Sequence, residues 1–178
     1  MAEDKQSDDS KDFSKRTNQL IALTALILAI CATFSSLYAG ANASKGILAQ
    51  NQASDSWAYY QAKSIKQAIY SSQLEMMEID PTDTDPAKFA ELKKNYTDTI
   101  DRYEREQEEI KTASRAKEAE RDHFLALNRG FAGALTYLQI AILLVSLAGL
   151  IKQIYFWYIG IAIGGFGIFN FITTMTMM

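Results

Sequence analysis

The chain has 178 residues, 48% of them hydrophobic and 22% charged, with a formal net charge of -3 and one cysteine. Its polar part mixes both signs, as in Asp101, Arg102, Glu104, Arg105, Glu106 and Lys111, which argues against a nucleic-acid partner. A lone Cys31 excludes an intramolecular disulfide and reads as a small apolar side chain.

Mean hydropathy is close to neutral, yet the charge is sharply partitioned. None falls between Arg16 and Lys45, and only Lys152 follows Arg129. Residues 1–18 read as a charged, flexible N-terminal tail, and 19–41 as a first transmembrane helix, since about twenty apolar residues suffice to cross a hydrocarbon core. The charged run before this span and the lack of a small-x-small site after it make it a retained anchor, not a signal peptide.

Residues 42–130 read as an extramembrane helical hairpin. Its break is the cluster from Asp80 to Pro86, which holds the only two prolines, Pro81 and Pro86, among turn-forming residues. Before the break, Ala58, Ala62, Ile65, Ile69, Ser72, Met76 and Ile79 recur at steps of four and three, the spacing of a coiled coil. After it, Phe89, Leu92, Tyr96, Ile100, Tyr103, Ile110, Phe124 and Leu127 make a second stripe, and the two segments are expected to pair antiparallel. Thr84 or Asp85 is placed to cap the second helix, with Pro86 in its first turn. A two-helix hairpin of this length covers too little of its apolar surface alone, so self-association is expected.

Residues 131–151 and 153–175 read as a second and third transmembrane helix around Lys152. The third carries Gly160 and Gly164 at a spacing that lets helix backbones approach closely, and these two are read as a further oligomer contact. Gln139 in the second, with Asn170, Thr173 and Thr174 in the third, needs partners in lipid. Two readings stand for these four: interhelical hydrogen bonds, or the lining of a water-filled path. No span contains a carboxylate, histidine or arginine, which leaves a proton relay or voltage sensor without support. The fold class expected is thus an all-α membrane protein with three transmembrane helices and a long antiparallel, coiled-coil-like hairpin between the first and second.

Flanking positive charges nearly tie: Lys5, Lys11, Lys15, Arg16 and Lys152 on one side, Lys45, Arg115, Lys117, Arg121 and Arg129 on the other. Long translocated segments count less than short ones, which favours a cytoplasmic N-terminus and a periplasmic hairpin in a bacterial inner membrane.

The stretch ASDSWAYYQAKSIK from Ala53 to Lys66, directly after GILAQNQ, resembles the bacterial membrane-protein family called domain of unknown function 4337. That resemblance implies an N-terminal span, a charged helical middle and two closely spaced C-terminal spans. It carries no established activity. Within the signature, Ala58, Ala62, Ile65 and Ile69 occupy the stripe, with Trp57 and Tyr60 on one flank and Tyr59 and Lys63 on another. These aromatic and small residues are read as an oligomer contact. The competing reading is a ligand or lipid headgroup held by Tyr59, Lys63 and Lys66.

No catalytic, cofactor or metal residues are expected. His123 is the only histidine, and Glu120 with His123 is half of a di-iron pair whose other half is missing. No phosphate-binding glycine loop or activated nucleophile stands out. The functional expectation is a non-enzymatic membrane protein, embedded in lipid, that forms a symmetric homo-oligomer as an envelope scaffold or shell. The alternatives are a pore-forming or gating subunit, and a sensory or adaptor subunit whose stalk engages an unidentified second protein.

Overall fold

A computed structural model describes the backbone of residues 2–79 and 86–178 and the side chains of those from Arg16 onward. The expected turn at 80–86, apart from Pro86 itself, lies outside the described residues. Three helices follow one another: α1 (Ala2–Ile79), α2 (Pro86–Ile151) and α3 (Ile154–Met175). All three are long and apolar enough over part of their length to cross a membrane, and no strand occurs among the described residues. Residues 2–18 extend α1 backwards, with no glycine or proline to end it. Pro86 is the first residue of α2, where its missing N–H costs nothing.

The chain divides into two compact units, residues 1–44 with 124–178, and residues 45–123.

In the first unit, α2 is the central helix. Phe131, Ala134, Leu138, Ala141, Val145 and Ala148 are all fully buried, at alternating steps of three and four that keep one seam turned inward. Ile21, Leu28 and Ala32 of α1 join Leu138, Ala141 and Val145 in one apolar cluster, and Ala39 joins Leu127 and Phe131 in another. Tyr38 stacks on Phe131 at 5.3 Å between ring centroids, and Phe171 of α3 packs against Phe131 at 5.6 Å. Large apolar side chains on the outer faces, among them Leu26, Leu37, Leu143, Phe166 and Phe169, remain exposed. An exposed apolar band of this kind suits lipid and is costly in water.

Glycines set the approach of α3. A Cβ on Gly160 would stand 2.7 Å from Val145 Cγ2 and 3.2 Å from the Ala141 carbonyl oxygen, and one on Gly164 would stand 2.7 Å from Leu28 Cδ2. The 2.7 Å approaches are closer than a Cβ adopts without a shift of its neighbour, so the glycines let α3 sit close against Val145, the Ala141 carbonyl and Leu28. Side-chain hydrogen bonds also tie the helices: Asn128 Nδ2 donates to the Ala39 carbonyl at 2.9 Å, and Trp157 Nε1 donates to Thr24 Oγ1 at 3.3 Å. Buried on the contact face of α1, Ser35 Oγ and Asn42 Oδ1 find no hydrogen-bond partner among the described residues.

The second unit is a pair of helices. Contacts run Gln50 to Arg121, Trp57 to Glu118, Lys63 to Glu106 and Glu78 to Lys93. Numbers rise on α1 as they fall on α2, so the helices are antiparallel.

Candidate assembly surface of the helical hairpin

The seam between the two hairpin helices is polar and aromatic. Trp57 Nε1 donates to Glu118 Oε1 at 2.9 Å, and Arg121 donates to Gln50 Oε1 at 2.7 Å. Lys63 donates to Glu106, and Gln107 donates to Gln67. The Lys63 ammonium also lies 5.0 Å from the centroid of the Tyr103 ring and 5.2 Å from that of Tyr59, within cation–π range. Tyr70 meets Tyr96 edge-on at 5.4 Å and Tyr103 at 6.0 Å.

Charge in this seam is held by its partners. The hydrogen bond from Lys63 holds the Glu106 carboxyl below its ordinary value against the opposing effect of desolvation. The Glu106 bond first, and the Tyr59 hydroxyl second, hold the Lys63 ammonium above its own. Near the other end, its hydrogen bond with Asp122 raises Arg121.

The face of α1 that meets α2 differs from the one the apolar spacing marks. Ala53 is buried, and Trp57, Tyr60, Lys63, Gln67, Tyr70, Leu74 and Met77 are partly buried along the seam. Ala58, Ala62 and Ser72 are exposed, as are Ile65 (62%), Ile69 (51%), Met76 (69%) and Ile79 (83%). At about 100° per residue the two sets lie on opposite sides of the helix. Polar partners decide which side turns in: Glu106, Gln107, Glu118 and Arg121 of α2 pair with Lys63, Gln67, Trp57 and Gln50, and none has a match on the apolar stripe. The α2 stripe does turn inward. Tyr103 is buried, Phe89, Tyr96, Ile100 and Ile110 are partly buried, and only Leu92 is exposed.

The signature residues therefore part company. Trp57 and Tyr60, 5.5 Å apart edge to face, work within the hairpin, and Lys63 is engaged by Glu106. Ala58, Ala62, Ile65 and Ile69 are presented outward, whereas Tyr59, 54% exposed, stands at the edge of the seam against Lys63. The outer side of α2 offers them no match within the chain, because Glu91, Lys94, Asp98, Asp101, Arg105 and Glu109 stand exposed along it. Gly160 and Gly164 are buried against Val145 and Leu28, so close packing at these glycines occurs within the chain.

The threonines of the spans are satisfied in a third way, missed by the sequence reading. Thr173 Oγ1 donates to the Phe169 carbonyl at 2.9 Å and Thr174 Oγ1 to the Asn170 carbonyl at 2.9 Å. Thr24, Thr33 and Thr136 bond back by one turn in the same manner. A hydroxyl four residues after a carbonyl needs neither water nor a neighbouring helix. Thr174 is also buried, its side chain filling the space where a Cβ on Gly130 would stand. Asn170 is partly buried facing Gly133. Gln139 differs. It is exposed beside Thr33, Ser36 and Leu135 in a cleft of about 330 Å³.

Among the described residues, no three His, Cys, Asp or Glu side chains come together as a metal site. His123 is exposed on α2.

Three long apolar-bearing helices, two of which continue into a charged antiparallel pair, define a multi-pass, all-helical membrane-type protein. The chain belongs to the family described as domain of unknown function DUF4337, which matches residues 17–177. No curated protein and no solved structure matches it.

Proposed function

We propose that this protein is a non-enzymatic scaffold of a bacterial inner membrane, assembling as a symmetric homo-oligomer through the outward stripe of α1. The observation that carries this reading is the exposed run Ala58, Ala62, Ile65, Ile69, Ser72, Met76 and Ile79, opposite a seam whose polar groups are already paired. The occupant we favour is a second copy of the chain. Small and branched side chains at steps of three and four pack best against a stripe of the same kind. Copies of one chain held in one membrane share one topology, so rotation about the membrane normal brings like to like. The charged outer side of α2 suits water. In this reading the N-terminus is cytoplasmic and the hairpin periplasmic.

The test is the mass of the purified particle in mild detergent or native-lipid discs, by light scattering with direct imaging. A discrete large homo-oligomer that Ala62→Glu reduces to smaller species supports the proposal. A monomer, a complex with a second polypeptide, or an assembly indifferent to Ala62→Glu overturns it.

A second reading rests on Gln139. An exposed amide beside two hydroxyl-bearing residues, in the middle of an apolar span, would line a polar path if copies of α2 surrounded an axis. Conductance in planar bilayers that Gln139→Leu alters would favour that reading. A sealed assembly would sink it.

A further inference from the structure

At the α2–α3 turn, a cleft of about 350 Å³ opens among Thr17, Asn18, Ile21, Ala148, Lys152 and Gln153. Its size falls in the range of small-ligand sites. Its chemistry is two-sided: Ile21 and Ala148 give an apolar wall, whereas Thr17, Asn18, Gln153 and Lys152 give hydroxyl, amide and ammonium groups. That division follows depth, because Lys152 is the one charge after Arg129 and stands where two apolar helices end and begin.

Lys152 is held there at a cost. Its φ of 57° makes it the one non-glycine residue in the left-handed region among the described residues, a conformation disfavoured for a side chain with a Cβ. Glycine would make this turn without strain. Lysine makes it and brings a charge to the cleft. No carboxylate occurs from Arg16 to Ser44 or from Phe124 to the end of the chain.

We propose that this cleft binds a phosphate group, supplied by the headgroup of an anionic phospholipid whose acyl chain follows the apolar wall. A lysine recognises phosphate as a point charge, and basic pockets between membrane helices hold anionic headgroups. Amide donors from Asn18 and Gln153 complete a shell suited to phosphate oxygens. The site lies within one copy of the chain and is independent of assembly.

Trp157, close along α3, gives the readout. The full chain carrying Trp57→Phe, in bilayers of stated composition, leaves Trp157 as the one tryptophan. Its quenching by phosphatidylglycerol with brominated acyl chains is compared with that by brominated phosphatidylcholine at equal mole fraction. Phosphatidylglycerol is expected to quench more strongly, with a preference of about fivefold that Lys152→Gln abolishes. Lys152→Gly should abolish it as well while relieving the backbone strain, so a folding defect cannot account for the loss. Arg129→Gln, which removes a cation elsewhere on the same unit, should leave the preference intact. Displacement by millimolar inorganic phosphate would support the anion site and identify free phosphate as a ligand. No displacement would support a lipid source. Equal quenching by the two lipids in the parent chain, a preference that survives Lys152→Gly, or one lost equally in Arg129→Gln, overturns the proposal.

Discussion

Lys63 of α1 and Glu106 of α2 are ion-paired across the hairpin seam, and the same ammonium lies 5.0 Å from the Tyr103 ring centroid. One side chain thereby links a carboxylate and an aromatic face of the opposite helix. Glu106 is held below its ordinary 4.5, so its contribution to stability is present above that value and lost as pH falls through the lower, folded one. Lys63 is held above its ordinary 10.5, so its contribution is present below that value and lost as pH rises beyond it. The hairpin should hold its stability between these limits and loosen in acid. Thermal melts followed by circular dichroism should show a smaller acid-induced drop in Glu106→Gln than in the parent protein.

Trp57 donates its indole N–H to Glu118 across the same seam. Trp57→Phe keeps most of the apolar area and leaves the Glu118 carboxylate without that donor. A loss of about 1.5–3 kcal/mol is expected, as for a hydrogen bond to a charged group. Chemical denaturation of the parent and variant would measure it.

The outward stripe predicts where copies meet. With Cys31→Ala as background, a cysteine at Ile65 or Ile69 should crosslink between copies under mild oxidation, because like positions face each other about a symmetry axis. A cysteine at Gln67, whose side chain receives a bond from Gln107 inside the hairpin, should not. Denaturing gels of oxidised membranes would separate the two outcomes.

Gly160 and Gly165 should respond in opposite ways to alanine. A methyl group on Gly160 meets Val145 and the backbone of Ala141, whereas one on Gly165 meets nothing within 4 Å. Gly160→Ala should cost about 1–3 kcal/mol through overpacking. Gly165→Ala should be neutral, or stabilising by up to about 1 kcal/mol from helix propensity. Thermal aggregation midpoints in detergent would rank the pair.

The helices and the break between the first two were legible because length, charge partition and paired prolines act locally. Lys152 marked the α2–α3 boundary for the same reason, being the one charge in a long apolar run. The facing side of α1 was not legible from apolar spacing. Ala58, Ala62, Ile65 and Ile69 make the cleaner apolar row, but Trp57, Lys63, Gln67 and Tyr70 have the partners. A search for polar and aromatic residues at the same steps on both segments would have found the seam. The roles of Thr173 and Thr174 were hidden differently: their carbonyl partners lie on their own helix and leave no mark in side-chain pattern.

Only Lys152 and Gln153 join α2 to α3. The three steps from Ile151 to Ile154 extend to about 11 Å at most, far short of the thickness of a bilayer. The last turn of α2 and the first turn of α3 must therefore emerge at the same face of the membrane. During synthesis neither helix can settle across the bilayer while the other stays wholly outside on the far side. With both helices across the bilayer they stand as one hairpin, with Lys152 at its bend.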